Sequence, residues 1–368
     1  MRKLVFAATL AVSAGLTSSS AWAKPDAEED SDDIAKCEGV KADHFVKMRT
    51  MAPKGSRWAT QFVKFAKQVR RKSDCKVDIE WTWNGGGRDE KAMVSDMKSG
   101  TLDGAAMTSV GLSDIVKDML IFNLPGLFSN WAELDTVRNN ERGYFEGKFD
   151  GAGFVLAGVG DVGAAKIMGT SDKWDDELWR PANLKDKGLS YISGDLIGPK
   201  LLETAGASGT AVTINEISGK LGKSITVLTT PPYAALQLGW SSKVRYVLKG
   251  VTPYFSIGGI VFSKSKLDGL PGEYKTMILD LAKKRGEKLT GTIRNEDAGA
   301  FKVITKRCEE KVKNDESKGT AGGATTGSHD ASDDEKSQWN TLFQQTRAGL
   351  KDQFSADLYQ RVVTDRGK

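Results

Sequence analysis

The sequence predicts an α/β protein of two domains, with mixed sheets flanked by helices and a long helix towards the carboxyl terminus. Three observations carry this. The first is the stretch from Val77 to Phe128. Val77-Asp78-Ile79-Glu80-Trp81-Thr82-Trp83 alternates and is rich in β-branched and aromatic residues, the pattern of a strand. Asn84-Gly85-Gly86-Gly87 breaks it, with glycines that accept positive φ and let a ligand approach the backbone. Arg88-Asp89-Glu90 opens a helix, its acids placed where the helix dipole favours them. Ala92, Met93, Met97 and Leu102 give that helix an apolar stripe. Asp103 to Ser109 is small and nearly uncharged, as a buried parallel strand should be. Strand, turn, helix and strand make a right-handed crossover, whose loops lie at the end of the sheet that binds ligands. The second observation is a further alternation of short strands and helices from about Lys166 to Lys249. The third is a helical pattern from Gly272 to Lys313. A chain of 368 residues suits about two domains.

The amino terminus reads as a secretory signal. Met1-Arg2-Lys3 precedes an apolar run from Leu4 to Leu16, and Ala21-Trp22-Ala23 is a small-x-small cleavage site. Lys24, not cysteine, follows it, so no lipid anchor is expected there. No later segment reaches the roughly 18 apolar residues of a membrane span, and an exported chain without direct membrane insertion is expected. Removing Arg2 and Lys3 from 53 basic residues leaves 51 against 48 acidic ones, a balance that excludes a nucleic-acid footprint. Asp26 to Asp33 is an acidic leader of disordered composition. The three cysteines, Cys37, Cys75 and Cys308, lie in the exported part, where a disulfide is favoured. Cys37 precedes the first strand and Cys75 the second. Adjacent parallel strands place both at one sheet edge, which favours Cys37–Cys75 over three buried thiols.

Along the chain, Asp43 to Met51 reads as strand one and Trp58 to Lys72 as a helix with Phe62, Phe65 and Val69 on its apolar face. Trp131 to Asn140 is a short helix and Phe154 to Ala157 a buried strand. Gly158-Val159-Gly160-Asp161-Val162-Gly163 matches a dinucleotide fingerprint, but Ala164 to Met168 is too short for the helix that must hold a pyrophosphate. A glycine-rich crossing between domains is the better reading, and no cofactor is expected. In the second unit, strands are expected at Gly188 to Ile192, Ala211 to Thr213 and Ser224 to Thr229, with a helix near Pro199 to Ala205. Asn215 is read as a helix cap and Pro231 as a first helical residue. Residues Asn314 to Ser332 form a linker of Gly, Ser, Thr and acids. Trp339, Leu342, Phe343, Leu350, Phe354, Leu358 and Val362 then recur as one amphipathic helix, docked on the body.

Catalytic chemistry finds little support. Histidine occurs only as His44 and His329, without a nucleophile elbow to partner either. No cluster has metal-ligand spacing. Lys54-Gly55-Ser56 lacks a Walker pattern and leaves a small-anion cradle or a structural turn. Trp81 and Trp83 share one face of their strand, packed in a core or, for Trp83, lining a cleft.

The glycine turn with Arg88-Asp89-Glu90, then Lys98-Ser99-Gly100-Thr101-Leu102-Asp103-Gly104-Ala105, then Leu124-Pro125-Gly126-Leu127-Phe128, resembles the TRAP transporter solute-binding proteins of the DctP type. Ala52-Pro53-Lys54-Gly55-Ser56-Arg57-Trp58 is similar to that family's first-strand loop. The resemblance runs from about Phe45 to about Lys313. It implies a class II-like periplasmic binding protein of two domains, which closes on a solute and passes it to membrane permease subunits without breaking a bond. Residues 1–23 would be the signal peptide, 24–40 the leader, 41–160 the first part of domain I and 161–250 domain II. Residues 251–313 would return to domain I through a strand at Phe255 to Ser263 and the long helix, with linker 314–334 and helix 335–368 following. The cleft residues expected are Pro53, Lys54, Ser56, Trp58, Gly86, Gly87, Arg88, Thr108 and Ser109, facing Lys166, Tyr191, Asp195, Thr230 and Tyr233. The family's diagnostic arginine, which pairs bidentately with a solute carboxylate, has no counterpart in Lys187 to Asp195. Tyr191 or Ile192 stands there. A simple dicarboxylate is therefore not expected. Lys166 is the candidate cation of the cleft, with Asp161 and Asp195 as alternative protein partners; Arg88 is another candidate, or else caps the start of its helix. The other reading is a cell-envelope interaction or scaffolding protein that kept this fold and lost the solute.

Overall fold

The computed structural model describes residues 34–170, 179–185, 187–317 and 327–366. The signal segment, most of the acidic leader and the middle of the predicted linker lie outside the described residues.

The first body begins with β1 (His44–Thr50), α1 (Arg57–Lys72), β2 (Val77–Thr82), α2 (Glu90–Lys98), β3 (Gly104–Thr108) and α3 (Ser109–Ser113). It continues through α4 (Trp131–Asn140), α5 (Arg142–Gly151) and β4 (Phe154–Ala164). The chain then enters β5 (Lys166–Gly169), β6 (Ser190–Ile192), α6 (Ile197–Thr204), β7 (Thr210–Val212), α7 (Ile214–Lys220), β8 (Val227–Thr230), α8 (Pro232–Gln237) and β9 (Tyr246–Lys249). Next come β10 (Phe255–Ser263), α9 (Lys264–Asp268) and α10 (Gly272–Ser317), then β11 (Ser328–Asp330), α11 (Asp333–Leu350) and α12 (Ala356–Asp365). The five-stranded sheet has the order β2-β1-β3-β10-β4, and the four-stranded sheet β11-β9-β5-β8. Strands β6 and β7 form a parallel pair of their own.

The predicted crossover is present. Strand β1 lies between β2 and β3, parallel to both, with Val46 opposite Ile79 and Met48 opposite Gly104. Asn84, Gly85, Gly86 and Gly87 all take positive φ in the turn after β2. Asp89 accepts a hydrogen bond from Ala92 N and caps α2. Arg88 stays outside that helix. Its guanidinium meets Asp96 at 2.8 Å, so it does not serve as the cap. Strand β10 returns to the first sheet as expected, antiparallel to β3 and β4. The Cys37–Cys75 disulfide closes the β1–β2 edge, and Cys308 is a buried free thiol.

Other expectations are corrected. Gly158 to Gly163 is not itself the crossing; β4 runs through it to Ala164, and the step between sheets falls at Ala165. The glycines are there because α10 lies on the strand. A Cβ at Gly158 would sit 2.5 Å from Ala282 O, and one at Gly160 would sit 2.9 Å from Gly286 O. Helix α7 is capped by Thr213 in a capping box with Glu216, not by Asn215. Pro231 is the residue before α8, and Pro232 takes the first helical position. Helix α5 and strand β9 carried no clear sequence pattern. Within 314–334, α10 continues to Ser317, and β11 adds to the edge of β9 with Ser328 opposite Val247. The single carboxyl-terminal helix is two, broken at 351–355. Its stripe nevertheless docks on the body: Trp339, Leu342 and Phe343 join the core beneath β9, and Leu350, Phe354, Leu358 and Val362 join the core of the first body.

Candidate functional site

A cavity of about 290 Å³ opens between the two sheets. From the first body it is walled by Thr50, Met51, Pro53 and Trp58 after β1, by Met107 and Thr108 at the end of β3, and by Glu90 and Asn123. From the second body come Ser190, Tyr191, Ile192, Asp195, Thr230 and Trp240. Tyr254 enters just before the returning strand and Ser256 on it, and Trp339 and Phe343 of α11 complete the wall. The walls are largely apolar, with a few placed polar groups, the usual character of a small-molecule site.

Of the fourteen residues expected from sequence, Pro53, Trp58, Thr108, Tyr191, Asp195 and Thr230 line this cavity. Four others stand behind the wall. Ser56 is buried and caps α1 by accepting from Ala59 N. Ser109 donates to Asn123 Oδ1 at 2.7 Å and so fixes that amide against the cavity. Tyr233 packs its ring edge-on against Trp58, with centroids 4.7 Å apart, and its hydroxyl accepts from Arg57 N. Lys166 donates to Thr252 Oγ1 at 2.6 Å and lies over the Phe301 ring. Neither Asp161 nor Asp195 pairs with Lys166, which corrects the expected bridge. Burial pulls its ammonium below the usual lysine range, opposed by the charge of Asp297. Lys54, Gly86, Gly87 and Arg88 are exposed and do not line the cavity. Trp83 does not line it either; it stacks on Trp81, which stacks on Phe62 of α1.

Three carboxylates reach the wall. Asp161 is fully buried between Arg138 and Arg294, each 2.6 Å away. Glu90 accepts from Thr108 N at 2.7 Å and from Thr108 Oγ1 at 2.6 Å, which ties α2 to the end of β3. Asp195 accepts from Ile197 N and Gly198 N at the start of α6. Burial raises the pKa of Glu90 and of Asp195 above the usual carboxylate range, in both cases against the opposing effect of these hydrogen bonds. Among the described residues no cation pairs with either, and no Lys, Arg or His lines the cavity. Sequence reading missed Glu90, Asn123, Tyr254 and Trp240 as wall residues. Glu90 had a sufficient local explanation as a first-turn acid, and the other three depend on tertiary placement.

Among the described residues no group of three His, Cys, Asp or Glu side chains is set to hold a metal ion. No helix among them is long and apolar enough to cross a membrane.

Two sheet-and-helix bodies that share one largely apolar cavity define a two-domain solute-binding protein. The chain belongs to the bacterial extracellular solute-binding proteins of family 7, the DctP family, whose profile matches residues 48–318. A comparison with curated proteins finds no match. Several solved structures share the fold. The sugar acid binding protein DctPAm from Advenella mimigardefordensis, in complex with galactonate, is 15% identical with a TM-score of 0.77, over 89% of this chain and 99% of that one. DctP7 from Bordetella pertussis, an extracytoplasmic solute receptor binding pyroglutamic acid, is 15% identical with a TM-score of 0.74, over 88% and 99%. A TRAP periplasmic solute-binding protein from Sulfurospirillum deleyianum with bound succinate is 16% identical with a TM-score of 0.72, over 88% and 99%.

Proposed function

We propose that this chain is the extracytoplasmic receptor of a TRAP-type permease, exported to the periplasm and cut near Ala23. It encloses a small solute between its two bodies and delivers it to membrane subunits, with no bond made or broken. The solute is not a simple dicarboxylate. One observation carries that reading: a cavity walled by both bodies whose lining, among the described residues, holds no basic side chain. The three related structures named above hold galactonate, pyroglutamic acid and succinate, all acids. A carboxylate enclosed without a charged partner keeps its full desolvation cost, and loss of a buried charged partner costs about 2–5 kcal/mol. Lys166, with its ammonium on Thr252, does not fill the missing place.

Calorimetry with succinate, malate and fumarate should give no micromolar binding, and such binding to any of them would refute the proposed specificity. Mass spectrometry of the gently isolated protein should show a small molecule released on denaturation. A chain that neither carries a solute nor is stabilised by any member of a metabolite library would contradict the receptor role itself.

A further inference from the structure

From the charge pattern of the cavity wall, and building on the receptor reading above, we propose that the solute is an organic cation. Its positive charge would be met by the Asp195 carboxylate of the second body and the Glu90 carboxylate of the first, in a cavity that Tyr191 and Tyr254 also line. Asp195 lines the cavity with part of its surface accessible, and among the described residues no cation pairs with it. It lies three residues beyond Ile192, on the stretch where the family resemblance leads one to expect an arginine, so that stretch brings the cavity an acid and no base.

Capping explains why a polar residue stands at 195, but not why it is charged. Ser, Thr or Asn caps a helix about as well as Asp. A carboxylate set deep in a largely apolar cavity adds a desolvation cost, which the α6 dipole offsets only in part. The same holds at Glu90, which is 6% exposed and held by Thr108 alone among side chains. Glu90 from the first body and Asp195 from the second line the cavity with no cation paired to either among the described residues, and they leave a charge deficit that a bound ammonium, amidinium or guanidinium group would fill. Tyr191 and Tyr254 line the same cavity, and aromatic rings attract such a charge. The Tyr254 hydroxyl is directed away from that role, donating to Thr229 O at 3.2 Å. An acid solute would meet like charges from both bodies. Asp161 adds nothing to the deficit, since Arg138 and Arg294 already balance it.

The test titrates the mature chain by calorimetry with choline, tetramethylammonium, putrescine and agmatine, and with succinate, galactonate and pyroglutamate. At least one cation should bind and none of the acids. Asp195→Asn keeps one capping oxygen, and Glu90→Gln keeps one acceptor for Thr108. Each should weaken the cation at least about tenfold, as loss of one charged partner implies. Ile192→Lys puts a positive charge on the wall at a residue with no hydrogen-bonding duty in its side chain, and should abolish cation binding with the melting temperature held. The inference is overturned if an acid binds and the cations do not, or if both carboxylate variants leave the cation's affinity unchanged. It is also overturned if the solute released from the native protein has no basic nitrogen. In each of those results the receptor reading stands. If no probe binds and no solute is released, both fall.

Discussion

Asp297 shows how much one side chain on the long helix has to hold. Its Oδ1 accepts from Tyr233 N and its Oδ2 from Ala164 N, each at 2.9 Å, so it joins the end of β4 to the start of α8. Both segments border the passage between the two bodies. Burial raises its pKa to about 6, with the two amide donors and Lys166 pulling down and Asp161 pushing up. The sign of the linkage follows from the direction of that shift. For an acid with a raised folded pKa, the neutral form is the one the fold favours. Its contribution is complete below the unfolded value of 3.8 and is lost as pH rises to about 6. The span corresponds to about 3 kcal/mol. Asp297→Asn should therefore lower stability at pH 4, where it forfeits one amide bond, and should flatten the decline from pH 4 to pH 6. Urea unfolding of both proteins across that range measures the difference, and parallel profiles would show that Asp297 does not titrate as described. None of this was legible in the sequence. Asp297 sits in a helical stretch as one charge among many, and only the fold brings two amides from distant segments to it.

The elements divide by how local their causes are. The crossover, α1, β10 and α10 were readable because each has its own period and its own turn chemistry. The disulfide was readable because two strands and their order fix where their starts lie. Helix α5 is half glycine and acid, Gly143, Glu146, Gly147, Asp150 and Gly151, and its buried face is carried by Phe145 and Phe149 alone. Strand β4 misled for a different reason. A glycine-rich segment is a loop by local propensity, and here a tertiary contact overrides it. Val159 O approaches the place of a Cβ at Gly286 to 2.5 Å, so strand and helix touch backbone to backbone on both sides. Gly158→Ala should cost about 3 kcal/mol, at the upper end for overpacking, because the obstacle is the Ala282 carbonyl and not a movable side chain. Gly147→Ala in α5 meets nothing within 4 Å and should gain up to about 1 kcal/mol. Denaturation midpoints of the two variants check the contrast, and equal midpoints would mean that the strand can move off the helix.

At the scale of the molecule, the carboxyl-terminal segment is a wall and not a tail. It begins as β11 on the edge of the second sheet, where His329 stacks on Trp179 and meets Glu335 at 2.8 Å. Helix α11 then packs Trp339 and Phe343 beside the cavity, and Trp339 Nε1 donates to Trp179 O at 2.7 Å. Farther on, Arg347 bonds Pro125 O in the first body, and Arg361 pairs with Glu141 through two bonds of 2.8 Å. The stripe passes from one core to the other within α11, between Phe343 and Leu350, and the break at 351–355 then redirects the chain so that Phe354, Leu358 and Val362 stay in the second of these cores. Sequence gave the stripe but not the turn, because the pattern of threes and fours continues across it. Seven large apolar side chains of this segment are buried: Trp339, Leu342, Phe343, Leu350, Phe354, Leu358 and Val362. At about 1.5–3 kcal/mol each they contribute on the order of 10–20 kcal/mol, as much as the whole net stability of about 5–15 kcal/mol expected for a domain. A chain ending at residue 326 should therefore fail to fold, with no cooperative transition by circular dichroism. Trp339→Ala is the finer probe. It opens a void beside the cavity and should cost about 3–5 kcal/mol while weakening the co-purified solute. A truncated chain that unfolds cooperatively and still releases that solute would show that the first two bodies enclose it without this wall.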